Sequence, residues 1–554
     1  MHALRTTGVS AMQLAIVSET TAIIFDKVEH NPLTVAGHVA WSVELNLNTN
    51  TVRALNPLSN TWCATGSFLG NGTLLNSGGN PVVITGALPT LSFNTRCLLY
   101  VPAISSPGQN GLQGIRLFTP CTNGNCDVFE DPARIHLTSN RWYPSSVRIE
   151  DGSVIIFGGS VGGGFINGAS GNNPSYEFYP PKNINGNQGF NGVKIPSQFL
   201  VDTLNSNHYP ILVYLPDGTI FVAANQQAMI LNWRTNTETR LPGIPNGVRV
   251  SSPFSAGAVL LPLTPENSYT PEVMICGGSA VSDKVSPTTF TAQTPASAQC
   301  SRLVLTTAGI AAGWKVETMP QPRVMPELIQ LPDMRILVVN GATSGVAGYG
   351  NVQNRVGQSN ADNPAFTPVI YDPSAAVGSR FSSVGIPAST IPRMYHSTAS
   401  LTPNGTVILA GSNPNDDVTT TKYATEYRLE FYSPPYLSQP RPTYTGLPAT
   451  VNYNVKFNLT VQLPTGVSSV TAVIIDLGFA THGVHMDQRL VKLVSTLSAD
   501  RRTLTVTGPP SAKHYPPGPA FLYVVTSAGV PSFGHKTVIG TGASPPVNLG
   551  AIAK

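Results

Sequence analysis

Three residues of different chemistry occupy one position in a repeat. Cys63, Tyr143 and His396 each stand nine residues ahead of the glycine of a polar turn, namely Gly72, Gly152 and Gly405. Each turn leads into an apolar strand that ends in small residues, as in TWCATGSFLGNGTLLNSGGN (61–80), RWYPSSVRIEDGSVIIFGGS (141–160) and IPRMYHSTASLTPNGTVILAGSN (391–413). Arranged around an axis, such repeats bring a thiol, a phenol and an imidazole together. Tyr395 directly precedes His396, and a later segment, FATHGVHMDQR (479–489), adds His482. Two imidazoles with two phenols suit Cu(II), which takes tetragonal N/O donor sets, whereas tyrosine is an uncommon zinc ligand. Cys63 stays open on spacing alone, between a thiolate at the metal, a buried thiol and half of a disulfide with Cys97.

The elements that must position these residues recur along the chain. Short apolar strands lie at 20–28, 72–80, 152–160, 218–226, 271–279, 334–342 and 405–413, most of them preceded by an alternating strand and a turn. One four-stranded sheet per repeat gives an all-β fold, a seven-bladed kelch-type β-propeller. The apolar strands read as the inner ones, with their glycines where blades crowd a central channel. The period stops after Tyr427, and the proline-rich stretch FYSPPYLSQPRPT (431–443) reads as a boundary. Residues 1–431 are thus expected to form the propeller, with the metal site on its axis. Residues 432–554 are expected to form an immunoglobulin-like β-sandwich that contributes His482 from a polar loop over 479–489.

Composition narrows the function. Only 11% of the residues are charged and the net charge is +4, with no basic stripe, which argues against a nucleic-acid partner. No apolar run reaches the length of a membrane span. The sequons at Asn71, Asn404 and Asn458 and the six cysteines favour a secreted glycoprotein in its mature form, its signal segment removed. Cys121 with Cys126, and Cys276 with Cys300, are the expected disulfides.

Six stretches in order along the chain carry a family resemblance. They are GVSAM (8–12), WC-x-x-G-S-F (62–68), RWYPSS (141–146), PRMYHS (392–397), ATH-x-V-x-x-DQR (480–489) and PPGPAFLYVVTSAGVPS (516–532). The chain resembles the copper radical oxidases, the galactose oxidase/glyoxal oxidase family, and is more similar to the fungal glyoxal oxidases. The resemblance implies one Cu(II), with Tyr143, His396 and His482 as equatorial ligands and Tyr395 as axial ligand and general base. It implies a Cys63–Tyr143 thioether as a protein-derived radical cofactor, which removes Cys63 from the disulfide pool and leaves Cys97 as a free thiol. The implied reaction converts small aldehydes (glyoxal, methylglyoxal, glycolaldehyde, as hydrates) to acids and O2 to H2O2, with primary alcohols as the alternative substrates. Peroxidases that use the H2O2 are expected partners, and a monomer is expected.

The sequence departs from galactose oxidase where an indole shields the radical, because Val161 stands at that place in GGSVGGG. Trp41, Trp62 and Trp142 are the candidate replacements. Tyr209 and Arg323 are candidates for the substrate mouth, and His485 for a supporting place behind His482. The rival readings are a propeller that only binds carbohydrate or protein, and a zinc hydrolase built on His396 and His482.

Overall fold

The computed structural model describes residues 2–81, 109–121, 123–184, 187–188 and 194–547. Cys97 lies outside them. Among the described residues seven antiparallel sheets form the blades of a propeller, each with four strands of the repeat and the first extended to six. Their innermost strands are Gln13–Ile16, Thr65–Phe68, Ser145–Arg148, Ile211–Tyr214, Ala256–Leu260, Glu327–Gln330 and Ser397–Leu401. The seventh sheet closes the ring with the two ends of the repeat region: His2–Thr6 pairs with Arg428–Tyr432, Leu4 opposite Leu429.

The apolar strands picked out in the sequence are not the inner ones. Each is the second strand of its blade, as with Leu74–Ser77, Val154–Phe157 and Ile336–Val339, which are buried along their whole length. A second strand has a strand on either side and a neighbouring blade on either face, so it is dry and most of its residues are apolar, with Asn76 and Ser77 an exception in the second blade. The innermost strands bury polar groups instead, among them Gln13, Thr65, Ser145, Glu327 and Thr398. The glycines that follow the second strands serve a close approach between blades. A Cβ on Gly78 (φ 77°) would stand 2.5 Å from the Arg141 carbonyl of the next blade.

Residues beyond the propeller form two facing sheets. One orders Thr443–Thr445, Lys456–Gln462, Thr503–Thr507 and Ser495–Leu497; the other orders Thr450–Val451, His535–Ile539, Gly518–Thr526, Val470–Asp476 and Arg489–Leu493. Lys456–Gln462 alternates exposed and buried residues over much of its length, as a sheet with one wet face requires. The expected polar loop over 479–489 is instead a hairpin, Phe479–Thr481 with Val484–Met486. It leaves the sandwich and joins the innermost strand of the first blade, Gln13 opposite Thr481 and Ala15 opposite Phe479, making that sheet six-stranded. The hairpin is legible as strands only once its partner is known, since three-residue strands carry almost no periodicity. Phe479 packs against Gly66, where any side chain would overlap the ring.

Both expected disulfides are present, Cys121–Cys126 and Cys276–Cys300, and Cys63 is a buried free thiol. Among the described residues no helix is long and apolar enough to cross a membrane.

Candidate metal centre

The repeat position owes its convergence to an unusual backbone. Cys63, Tyr143, Tyr209 and His396 have φ of 58°, 60°, 47° and 63°, and Met325, at the same place in the sixth blade, has 57°. Left-handed conformations at non-glycine residues cost about 1–3 kcal/mol each and concentrate at functional sites. Here the conformation recurs just before the innermost strands, blade after blade. Consecutive blades are tied at this level: the Tyr143 N–H donates to the Cys63 carbonyl at 3.0 Å, and the Tyr209 N–H to the Tyr143 carbonyl at 2.9 Å. His482 stands at the tip of the inserted hairpin, also left-handed at φ 54°.

The structure brings all five sequence-predicted residues into one buried cluster. The Cys63 Sγ lies 3.3 Å from His482 Nε2, and the donor atoms of Cys63, His396 and His482 lie within 4.8 Å of one another. The Tyr143 and Tyr395 hydroxyls touch. The Tyr395 ring stacks on His396 at 3.8 Å, and the His396 and His482 rings meet edge-on at 4.7 Å.

The hydrogen bonds fix how His482 can act. Thr481 Oγ1 donates its one proton to the Met12 carbonyl (2.9 Å), so it accepts from His482 Nδ1 (2.6 Å). The imidazole therefore carries its proton on Nδ1 and turns the Nε2 lone pair toward the cluster. His396 is 1% exposed and neither of its ring nitrogens has a partner. A buried imidazole left so is costly unless a ligand satisfies it.

Burial keeps the whole donor set uncharged. It holds His396 well below the usual imidazole range, with His482 adding to the effect, and takes His482 down to about 3. Burial, then the Cys63 thiol beside them, raises both the Tyr143 and the Tyr395 phenols, and burial raises the thiol itself. Neutral imidazoles are ready to ligate, and a cation is what would draw the phenols into their ionised form. Two nitrogens and two phenol oxygens around one point fit Cu(II). Among the described residues, no carboxylate belongs to the cluster, which leaves a zinc hydrolase without its acidic ligand or base.

Other candidates fall elsewhere. Arg323 does not reach a substrate mouth: it is fully buried and spends its guanidinium on the Asn340 (2.7 Å) and Thr367 (2.5 Å) carbonyls. Arg141 and Arg393 brace the third and seventh blades in the same manner. Tyr209 is a wall of the cluster, its ring 4.6 Å from Tyr143 and 4.7 Å from His482, with its hydroxyl given to the Ala64 carbonyl. His485 faces away, toward a cavity of about 30 Å³ below the hairpin that Arg148, Asp487 and Arg489 also line, and bonds the Leu477 carbonyl.

Trp142 covers Tyr143 edge-on at 4.3 Å, while Trp41 is tied to the Ser59 carbonyl and Val161 is 38% exposed. His208, Tyr349 and Lys27 also surround the centre and were not singled out in the sequence. His208 lies 5.1 Å from the Tyr143 ring, and burial takes it down to about 3. The charged pair Asp26-Lys27 directly after an apolar strand was the available signal for Lys27.

Comparison with known proteins follows the same line. Residues 104–436 match the family described as glyoxal oxidase N-terminus, and residues 441–539 match the galactose oxidase-like, early set domain. An aldehyde oxidase of Vitis pseudoreticulata is 32% identical over 559 residues, covering 95% of this chain and 94% of its own. An aldehyde oxidase of Arabidopsis thaliana is 30% identical over 519 residues, covering 90% and 74%. A fungal alcohol oxidase of the AA5 family, solved in complex with copper, superposes with a TM-score of 0.71 at 18% identity, covering 97% and 98% of the two chains.

Proposed function

The chain belongs to the glyoxal oxidase/galactose oxidase family of copper radical oxidases, and on that premise we propose that it oxidises small aldehydes such as glyoxal, methylglyoxal and glycolaldehyde. Taken as hydrates, they become carboxylic acids: RCH(OH)2 and O2 give RCOOH and H2O2. The observation that carries this reading is the convergence of Cys63, Tyr143, Tyr395, His396 and His482, with both His396 nitrogens unpartnered. His396, His482 through Nε2, Tyr143 and Tyr395 would hold one copper ion. That ion supplies a one-electron redox change and a Lewis acid at the substrate oxygen.

The remaining work belongs to the chain. Tyr395 Oη takes the hydroxyl proton of the hydrate. Tyr143 holds the second oxidising equivalent on a ring made easier to oxidise by a thioether to Cys63. Forming that bond removes the thiol hydrogen and one ring hydrogen, both passed to O2. Trp142 and the walls of the channel keep the ring from bulk water. Residues 1–431 serve as the propeller and 432–554 as the sandwich that delivers His482. Secretion is in keeping with the two disulfides; the enzyme would act as a monomer, with peroxide-using enzymes as the consumers of its product. Primary alcohols are the second substrate class, favoured by the alcohol oxidase of similar fold.

Peptide mapping after copper loading in air tests the centre. A Cys63–Tyr143 peptide pair lighter by two hydrogens and resistant to reductant is expected, with glyoxal-dependent O2 uptake exceeding that with primary alcohols. Separate peptides, with Cys63 released from Cys97 by reductant, would overturn it.

A further inference from the structure

The centre is nearly closed, with Tyr143, Tyr395, His396 and His482 each no more than 4% exposed. Two half-buried rings reach from it toward solvent, Trp62 and Tyr349. They lie near-parallel, 6.5 Å apart with 14° between their planes. Trp62 meets Trp142 edge-on at 6.2 Å, and Tyr349 meets Tyr395 edge-on at 6.3 Å, so the pair spans both phenols of the centre. Tyr349 ends the strand Ala342–Tyr349, which with Ser359–Pro364 makes a hairpin inserted in the sixth blade.

One cation addresses both rings. The Lys27 ammonium lies 5.4 Å from the centroid of Trp62 and 5.4 Å from that of Tyr349. Lys27 is 1% exposed, and its nitrogen bonds the Asn415 (2.7 Å) and Asp416 (2.6 Å) carbonyls and pairs with Glu29 at 3.3 Å. Three donors have three partners, so none is left for a substrate. Glu29 is held in turn by Asn413 Nδ2 at 2.9 and 3.0 Å, and the Asn413 N–H donates to the Tyr395 carbonyl at 2.8 Å. The ammonium is thereby fixed relative to the centre, and its charge acts on the ring faces.

We propose that Trp62 and Tyr349 form the wall that sets the size of substrate admitted, and that Lys27 is the positioning residue that holds them. This rests on reading the centre as that of an oxidase. The class admitted is short, hydrated aldehydes; aromatic and branched aldehydes are turned away by the ring pair.

The test uses Cys63 in the full-length, copper-free protein, where the thiol is uncrosslinked and lies behind the wall. Modification of Cys63 by methyl methanethiosulfonate and by a bulky N-aryl maleimide is followed by peptide mapping, which separates it from Cys97. Wild type should strongly favour the small reagent. In Tyr349→Ala and Lys27→Met that preference should fall by about tenfold or more, the scale of a lost buried cation–π contact. Lys27→Arg should keep it. Lys27→Met strands the buried Glu29, so Lys27→Met/Glu29→Gln and Tyr349→Ala decide if the single variant does not fold.

In the copper-loaded enzyme the same variants should lower KM for benzaldehyde relative to glyoxal with little change in kcat. An unchanged reagent preference in Tyr349→Ala and in the double variant would overturn the wall. Absence of any aldehyde oxidation by wild type would instead sink the oxidase reading, while the thiol preference still decides whether the wall exists.

Discussion

Replacing Glu327 by Gln should stabilise the protein at alkaline pH and leave it unchanged in acid. Glu327 opens the innermost strand of the sixth blade, is fully buried, and has no side-chain partner on either carboxyl oxygen. Burial pushes its pKa from the ordinary 4.5 up to about 8, and the backbone N–H of Gly483, beside the hairpin tip, is the group that opposes the rise. The folded protein therefore keeps a proton that the unfolded chain releases. Stability contributed by this group falls as pH climbs from 4.5 to about 8 and levels off above that. At about 1.4 kcal/mol for each pH unit, the window from 4.5 to about 8 is worth up to about 5 kcal/mol. Gln cannot ionise, so the variant lacks this slope. Denaturation midpoints of the two copper-free proteins, compared from about pH 4 to about pH 9, should coincide at the acid end and diverge across that window, the variant ending higher. A difference that stays flat with pH would refute the assignment of a buried protonated carboxyl.

Three further outcomes follow from the geometry. Tyr395→Phe, which removes the proposed proton acceptor, should lower kcat by about 10²–10⁴ while the linked Cys63–Tyr143 peptide still forms; rate assay and peptide mapping check the two parts. Copper should stabilise the wild-type protein by about 4 kcal/mol when free metal stands at 1,000 times Kd, read as a higher thermal midpoint that a chelator reverses; His482→Ala should show almost none of this shift in a thermal scan. Asp476→Asn breaks a buried ion pair with Arg148 that joins the third blade to the sandwich, and should cost about 3–5 kcal/mol in a denaturation experiment.

The parts of the fold that repeat were legible in the sequence, and the parts that do not repeat were not. The second strands announce themselves because burial on both faces leaves few polar residues to interrupt them and none in Val154–Phe157 or Ile336–Val339. Their glycines were visible too, but a glycine at a close approach looks the same whether the neighbour is a channel or the next blade, so the strands were assigned one place too far inward. The count of nine residues found the site because a left-handed residue before five of the seven innermost strands aims side chains at the axis in register. Arg323, two residues before the left-handed Met325, was misjudged, since sequence cannot tell a guanidinium facing a cavity from one spent on carbonyls. Tyr349 was out of reach because the hairpin that carries it is an insertion between the second and third strands of its blade, outside the pattern that repeats.

The hairpin at Phe479–Met486 has a consequence for how the centre comes into being. Ribosomal synthesis delivers Cys63 and Tyr143 early, and six blades can be complete before the sandwich exists. His2–Thr6 meanwhile waits for Arg428–Tyr432, and the second imidazole arrives later still, when Phe479–Thr481 seats against Gln13–Ala15. A chain cut before the hairpin thus holds Cys63, Tyr143 and His396 without His482. The sandwich is therefore the last contributor to the cluster, and a completed cluster reports that the two parts have docked.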